Sequence, residues 1–493
     1  MNTLPLCESG LTLKPIHLPY LVMHWLRQFR TGVFAAIVVF GLTGCVTGNI
    51  GLPDGTTSTT SMDSDVFIEG HSKAAHRVYD KDFDLRSANT DIWHRIRNGF
   101  GMPDIQTSSV TEKEKWYLSR PQYFEKTSVR SRRYLYYIVE EIEKRNMPME
   151  LALLPFLESA YDPEAVSHAE AAGMWQFIPS TGLNFKLQQD IFRDERRDVI
   201  ASTNAALDYL QLLYNMFGDW HLALAAYNWG EGNVLRAINA NKRQNKPTDY
   251  LSLNMPKETQ GYIPTLQALK NVIATPEAFK IALPRIENHP FFQTVAIEQD
   301  MDVELIALLA DISKEEFRAL NPAVNKPVVL AAITPQILLP WDNAETFIKK
   351  LGGHDGRLCS WTVWQAPRTM SVAQVAAATK TPEKILREVN DIPPSVLVRG
   401  GSTLLVQHTR NNVGNVRLSL IQNARVDFAH SGTGRMVTPS KVAVSEESQN
   451  QARGRTASNR QTLRSPASAQ QSVTAQRNTT LRTATPSKVA VGQ

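Results

Sequence analysis

The chain contains little cysteine, and its apolar runs are short. Three cysteines, Cys7, Cys45 and Cys359, occur in 493 residues, which excludes a small scaffold held together by many disulfide bonds. Apolar residues make up 42% of the chain and charged residues 20%. This composition is typical of a globular protein and excludes a bundle of membrane-spanning helices. Because a usual domain has roughly 100 to 200 residues, the length predicts several domains.

The sequence also lacks the common signatures of metal and nucleotide chemistry. It contains no His-Glu-x-x-His motif, no phosphate-binding glycine loop and no dinucleotide fingerprint. Isolated histidines such as His168 and His221 are therefore interpreted as ordinary polar residues. We expect no metal ion and no organic cofactor.

The N-terminal region has the pattern of an export signal. Arg27 and Arg30 precede an apolar stretch over 33–42, which is too short to span a bilayer comfortably. The stretch leads into Leu42-Thr43-Gly44-Cys45, which resembles the lipobox of bacterial lipoproteins. The resemblance implies that residues 1–44 are a signal peptide and that Cys45 carries the lipid anchor. By the same resemblance, Val46 directly after the cysteine implies that the anchored protein is sorted to the periplasmic face of the outer membrane.

Two regions have compositions typical of flexible chain. The segment after Cys45 is rich in Gly, Ser and Thr, and we predict a tether over 45–90. From residue 423 onward Ser, Thr, Gln, Ala and Arg dominate, which predicts a disordered basic tail over 423–493. The formal net charge of +5 is concentrated there and favours polyanionic partners. Because the chain is exported, nucleic acid is not expected to be one of them.

Residues 91–285 are predicted to form a mainly helical domain. Ile92, Trp93 and Ile96 recur at helical spacing, and a second helical pattern ends at Gly218. Pro148 suits the first turn of a further helix over 150–159.

Glu158 would lie in the last turn of that helix, after the apolar run 151–157. Burial against hydrocarbon disfavours an ionised carboxyl group, so Glu158 is a candidate proton donor. The neighbouring acids Asp162 and Glu170 are interpreted as surface or capping groups.

Two later segments, 290–342 and 358–409, share a strand–helix–helix–strand (βααβ) pattern. In each, an asparagine, Asn321 or Asn390, closes the second helix. The pattern resembles the LysM carbohydrate-binding module. The alternative is that both segments are small packing domains without affinity for a ligand.

Four short motifs in the helical region occur in the order and spacing of one enzyme family. They are Glu158-Ser159, Gly173-Met174-Trp175-Gln176, Ala225-Ala226-Tyr227-Asn228, and Glu258-Thr259 with Tyr262-Ile263-Pro264. They resemble the soluble-lytic type of lytic transglycosylase domain, which implies a goose-type lysozyme fold. The whole arrangement is similar to the membrane-bound D branch of that family.

The resemblance implies cleavage of the β-1,4 bond between N-acetylmuramic acid and N-acetylglucosamine in peptidoglycan. Glu158 would protonate the bridging oxygen and then accept the proton of the muramyl 6-hydroxyl, which leaves a 1,6-anhydromuramyl end. The hydroxyl of Tyr227 is expected to approach this carboxylate. The other implied substrate contacts are Ser167, Gln176, Asn228, Glu258 and Tyr262.

Two alternatives remain open at this stage. One is a water-using muramidase on the same fold, and the other is a non-catalytic envelope anchor that binds peptidoglycan. Cys359 is interpreted as a partly buried small hydrophobic residue and not as a nucleophile.

Overall fold

The computed structural model describes residues 75–77, 91–408, 414–422, 424–430 and 436–437. The predicted signal peptide, the lipidation site at Cys45, and most of the tether and of the tail lie outside the described residues. Within the described part of the chain, no helix combines the length and the apolar character needed to cross a bilayer.

Residues 92–274 contain ten α-helices, which confirms the mainly helical fold predicted for this part of the chain. Asp91 accepts a hydrogen bond from the backbone of Trp93 at the first N-cap, and Gly218 ends the longest helix at a φ of +66°. Trp93, Ile138 and Leu210 are fully buried in the core. The helices are α1 (Ile92–Asn98), α2 (Ser108–Leu118), α3 (Pro121–Ser131), α4 (Leu135–Lys144), α5 (Leu154–Glu158), α6 (Pro179–Asn184), α7 (Val199–Phe217), α8 (Trp220–Trp229), α9 (Glu231–Arg243) and α10 (Lys257–Ala274).

The segment before Glu158 differs from the single helix predicted over 150–159. A 3-10 helix, Met149–Leu153, precedes the short helix α5. Pro155 causes the change because it has no backbone N–H to continue an α-helical ladder, whereas a proline in the first turn of a new helix loses nothing. Glu158 is the last residue of α5, so its predicted place at the end of a helix is confirmed.

The first βααβ module is built on strands β2 (Phe292–Ile297) and β5 (Gln336–Pro340), which pair in antiparallel register. An earlier strand, β1 (Ala75–Arg77), pairs with the other edge of β2. This strand lies inside the range 45–90 that the sequence assigned to a tether. Buried Ala75 opposite Ile297 anchors it there. The remaining elements are β3 (Met301–Asp302), α11 (Val303–Leu309), α12 (Lys314–Leu320), β4 (Val328–Val329) and α13 (Trp341–Gly352).

The second βααβ module is built on the antiparallel pair β6 (Trp361–Gln365) and β9 (Thr403–Gln407). The chain beyond residue 409 adds to it, because β10 (Phe428–His430) pairs with β8 (Val396–Val398). Order therefore continues past residue 423, where the sequence predicted that the tail begins. Phe428 is 1% exposed and fills the module's core. The other elements are β7 (Met370–Ser371), α14 (Val372–Thr379), α15 (Glu383–Val389), α16 (Leu418–Ile421) and β11 (Met436–Val437).

Each module is closed by its asparagine in the same way. The Asn321 amide donates to the carbonyl of Leu338 at 2.8 Å and accepts from the Leu338 N–H at 2.8 Å. In the second module Asn390 makes the corresponding bonds to Leu405, at 2.9 and 2.7 Å. One buried side chain thus ties the end of a helix to the final strand, as the repeated pattern indicated.

The first module packs directly on the helical domain. The guanidinium of Arg133 donates two hydrogen bonds to the Glu316 carboxylate, at 2.9 and 2.6 Å. Nearby, the hydroxyl of Tyr134 donates to the carbonyl of Ala319 at 2.7 Å. A bidentate pair of this kind fixes orientation as well as proximity.

Candidate active site

Glu158 lies partly buried at the end of α5. Burial is the main cause that raises the pKa of its carboxyl group from 4.5 to about 7. A hydrogen bond from the hydroxyl of Tyr262 acts in the opposite sense, and the negative charge of Glu258 raises the pKa further. Near neutral pH, Glu158 therefore exchanges between acid and carboxylate, as a group that both gives and takes a proton must.

The two tyrosines of the predicted site make different hydrogen bonds. Tyr262, from α10, donates its hydroxyl proton to Oε1 of Glu158. Tyr227, from α8, instead donates to the carbonyl of Trp175 at 2.8 Å. The hydroxyl of Tyr227 therefore holds the backbone of the loop at Trp175, and that of Tyr262 makes the hydrogen bond to the carboxylate. Tyr227 still lies within electrostatic range, since the charge of Glu158 helps to raise the pKa of Tyr227 well above its ordinary value, after burial.

A loop over 165–177 faces the end of α5. The hydroxyl of Ser159 donates to the carbonyl of Met174 at 3.1 Å and so joins this loop to the residue next to Glu158. Gly173 has a φ of +82°, and a Cβ there would lie 2.1 Å from the carbonyl oxygen of Arg196. Only glycine fits such a position, which explains its place in the motif.

Gln176 and Ser167 have well-defined places on the loop. Gln176 has a φ of +51°, and its amide donates to the carbonyls of Gly173 at 2.8 Å and Ala165 at 3.3 Å. Both amide protons are thereby used, so Oε1 is the atom that Gln176 can offer to a ligand. Ser167 is exposed, and its hydroxyl oxygen accepts from the N–H of Ala171 at 3.1 Å.

Asn228 is the last residue but one of α8. Its Oδ1 accepts a hydrogen bond from the hydroxyl of Thr259 at 2.8 Å, which leaves the two amide protons as the groups that Asn228 can offer. Gln176 thus presents an acceptor and Asn228 a donor. Glu258 is exposed at the first turn of α10 and acts on Glu158 through its charge.

Several residues that shape the site were not predicted to have a role. Ser159, Gly173 and Thr259 lie inside the motifs, and the pattern around them was the available signal. Arg196 and Asp194 form a buried ion pair behind the loop, at 2.8 Å, and no local pattern pointed to them.

Cys359 is partly buried and unpaired among the described residues. Burial raises the pKa of its thiol to about 12, and the thiol donates to the carbonyl of Trp361 at 3.1 Å. Because a reactive cysteine needs thiolate character, its interpretation as a small hydrophobic residue is confirmed.

Two family models match the chain. Residues 136–249 match the transglycosylase SLT domain, and residues 291–354 match the LysM-like domain of lytic transglycosylase MltD. The second match covers the first βααβ module together with α13.

Parts of the chain are similar to known proteins. Membrane-bound lytic murein transglycosylase D of Escherichia coli is 40% identical over 263 residues, which cover 53% of this chain and 58% of that protein; the chain thus spans little more than half the length of that relative. A putative tributyltin chloride resistance protein from Alteromonas is 41% identical over 172 residues, which cover 35% of this chain and 81% of that protein. The crystal structure of the 70 kDa soluble lytic transglycosylase of E. coli matches over 35% of this chain and 31% of that one, with 19% identity and a TM-score of 0.25, too low to support an argument. The chain belongs to the family of proteins in which a transglycosylase SLT domain is followed by an MltD-type LysM-like domain.

Proposed function

We propose that this protein is a lytic transglycosylase that cleaves the β-1,4 bond between N-acetylmuramic acid and N-acetylglucosamine in peptidoglycan and forms 1,6-anhydromuramyl ends. The observation that carries the proposal is the partly buried carboxyl group of Glu158 at the end of α5, which accepts a hydrogen bond from Tyr262 and whose pKa is raised by burial to about 7. The SLT and LysM-like matches support the same substrate class.

In the first step the protonated Glu158 gives its proton to the bridging oxygen, and the bond from that oxygen to C1 of the muramyl residue breaks. Positive charge then develops at C1 and the ring oxygen. The newly formed carboxylate accepts the hydrogen bond from Tyr262, which stabilises the charged form of Glu158.

In the second step the muramyl 6-oxygen attacks C1, and the Glu158 carboxylate takes the 6-hydroxyl proton. No water is consumed, and the acid is regenerated. Glycosidases that use two carboxylates need the second one as a nucleophile or to activate water. Here the substrate supplies its own nucleophile, with the large effective concentration of an intramolecular attack.

The N-acetyl groups of the substrate would be bound by Gln176 and Asn228, with Ser167 at the edge of the loop. Oε1 of Gln176 can accept the acetamido N–H, and the amide of Asn228 can donate to the acetamido carbonyl. The LysM-like modules would hold the glycan strand near the site.

Mass spectrometry of digested sacculi tests this reaction. We expect muropeptides with anhydro ends from the full chain, and a loss of about 10² to 10⁴ in rate for Glu158→Gln. Glu170→Gln is the matched control, because Glu170 is an exposed acid on the nearby loop. Reducing ends without anhydro ends would favour a muramidase. Equal cleavage by both variants would refute the role of Glu158, and no cleavage by the unmodified chain would favour a non-catalytic anchor.

We further propose that lipid chains on Cys45 hold the protein at the periplasmic face of the outer membrane. The lipobox-like sequence supports this location. In cells fed labelled palmitate, label should enter the unmodified chain and the Cys7→Ser control but not Cys45→Ser. Equal label in both variants would contradict the assignment.

A further inference from the structure

A row of aromatic side chains leads away from Glu158 along one side of the site. The ring centroid of Tyr227 lies 5.5 Å from that of Tyr209, on α7. The Tyr209 centroid in turn lies 5.0 Å from that of Phe185, just after α6. The hydroxyl of Tyr227 is within electrostatic range of both Glu158 and Tyr209. The row is therefore connected to the carboxyl group by contacts, and Tyr209 and Phe185 are partly exposed.

A carboxylate lies beside this row. The hydroxyl of Tyr209 donates to Oε2 of Glu231 at 2.9 Å. Glu231 begins α9 directly after Gly230, whose φ of +92° turns the chain between α8 and α9. Burial, and then the charge of Glu231, raise the pKa of the Tyr209 hydroxyl. The tyrosine therefore remains the donor of this bond and the carboxylate its acceptor.

Glu231 has acceptor capacity that the fold does not use. Among the residues that the structure describes, none donates to its Oε1 and no cation lies within ion-pair distance. An ionised carboxylate has about four acceptor positions on its two oxygens, and hydrogen bonds from hydroxyl groups to a carboxylate are short and strong. Because Glu231 is partly exposed, a ligand with hydroxyl groups can reach it.

The rings and the carboxylate together match a sugar of a β-1,4-linked glycan. In such a sugar the hydroxyl and acetamido groups project from the edge of the ring, and the two faces carry only C–H groups. An aromatic side chain packs against a face, while a carboxylate accepts hydrogen bonds from the edge. A free anion does not match, because Glu231 repels it.

We propose that Tyr209 and Glu231 form a subsite for a sugar adjacent to the pair between which the bond is cleaved, with Phe185 extending the apolar face. This inference rests on the proposed function, since it concerns the same glycan strand. Glu231 contacts the sugar edge, and the hydroxyl of Tyr209 orients Glu231. The subsite adds binding energy and takes no part in the chemical step, because Tyr227, and not Tyr209, lies within electrostatic range of Glu158.

Kinetics on soluble glycan strands test the subsite, with anhydro ends as the measured product. Glu231→Gln keeps the shape of the side chain and removes its charge, and its KM should rise about tenfold. Its kcat should change little, because a contact made equally in the ground state and the transition state affects only KM. Tyr209→Phe keeps the ring and removes the orienting hydroxyl, so its KM should rise roughly threefold. The alkaline limb of kcat/KM should keep its position in both variants.

The matched controls also lie on α7. Asp208→Asn removes one negative charge from an exposed residue that lies 3.6 Å from Arg145, and Tyr214→Phe removes a hydroxyl from a ring that stacks on Trp220. Both should keep the KM of the unmodified chain. An equal rise of KM in Asp208→Asn and Glu231→Gln would assign the effect to net charge and overturn the proposal. An unchanged KM in Glu231→Gln, or a lower kcat with a displaced alkaline limb, would overturn it as well.

A binding measurement separates this inference from the proposed function. The probe is a neutral hexamer of β-1,4-linked N-acetylglucosamine, and its affinity for the full chain with Glu158→Gln is measured by calorimetry. Adding Glu231→Gln should weaken binding about tenfold, whereas adding Asp208→Asn should not change it. If the unmodified chain forms no anhydro ends while this loss is still seen, the reaction is wrong and the subsite stands. If anhydro ends form but binding does not respond to Glu231→Gln, the subsite is wrong and the reaction stands.

Discussion

The guanidinium of Arg196 joins the carboxylate of Asp194 to the backbone of the loop that carries Gln176. It donates to Asp194 at 2.8 and 3.0 Å and to the carbonyl of Glu170 at 2.6 Å. The N–H of Asp194 in turn donates to the carbonyl of Ala323, in the first LysM-like module, at 3.0 Å. The module and the loop over 165–177 are thus attached to one buried ion pair.

Asp194→Ala should therefore be strongly destabilising. The variant leaves the charge of Arg196 buried without its partner, which costs about 3 to 5 kcal/mol, and the loop over 165–177 should loosen with it. The measurement is the free energy of unfolding in denaturant. Asp162→Ala is the control, since the partly exposed Asp162 lies 3.6 Å from Arg130 and should cost less than about 1 kcal/mol. If the two variants lose similar amounts of unfolding free energy, Asp194 contributes no more to stability than a partly exposed acid, and the prediction is wrong.

Glu158 should make stability depend on pH between about 4.5 and about 7. Because burial raises the pKa of this carboxyl group in the folded state, the folded chain binds the extra proton in this window. The contribution of this proton to the free energy of unfolding is fully present below the ordinary pKa of 4.5 and is lost as the pH rises through the folded-state pKa of about 7.

Glu158→Gln has no such proton. The unmodified chain should lose unfolding free energy as the pH rises from 5 to 8, and the variant should not. The difference in unfolding free energy between the two proteins should therefore change in favour of the variant by roughly 2 kcal/mol, after allowance for partial exposure. Denaturant unfolding at the two pH values checks this, with Glu170→Gln as a control that should follow the unmodified chain. A constant difference between the Glu158→Gln variant and the unmodified chain would contradict the raised pKa.

Tyr262→Phe should shift the pH profile of cleavage. The hydroxyl of Tyr262 donates to Glu158 and lowers the pKa of that group, so removal of the hydroxyl should raise the pKa of Glu158 further. Since Glu158 acts first as an acid, the alkaline limb of kcat/KM should move to higher pH. Tyr227→Phe is the control, because that hydroxyl bonds to Trp175; its limb should keep its position even if its rate falls. If the alkaline limb of the kcat/KM profile of Tyr262→Phe stays at the pH found for the unmodified chain, the hydrogen bond between Tyr262 and Glu158 is contradicted.

Local chemistry predicted much of this fold. Gly218 was placed correctly at a helix end, because capping depends on a few neighbouring residues. The strand Gln336–Pro340 and the closing asparagines also follow the sequence pattern. Pairing between distant segments was not predictable in this way: β1 joins a strand more than 200 residues later, and its own sequence carries no sign of that partner.

The same limit applies to the site. The motifs located Glu158, Gln176 and Asn228, but Tyr227 and Tyr262 both lie on helices near the carboxylate, and only the packing of α8 against α10 decides which hydroxyl reaches it. Arg196 is held by a backbone carbonyl and a carboxylate outside the motifs, so no spacing rule could assign it.

Thr259→Val tests whether the orientation of Asn228 matters for substrate binding. Valine keeps the shape of threonine but removes the hydroxyl that donates to Oδ1 of Asn228 at 2.8 Å. Without that bond the amide can rotate, and we expect KM for glycan strands to rise about fivefold while kcat changes less, because about 1 kcal/mol of binding is lost. The control is Thr265→Val on the same helix, whose hydroxyl bonds to the carbonyl of Gly261 at 2.7 Å. If KM rises equally in both variants, the effect belongs to α10 as a whole and not to Asn228.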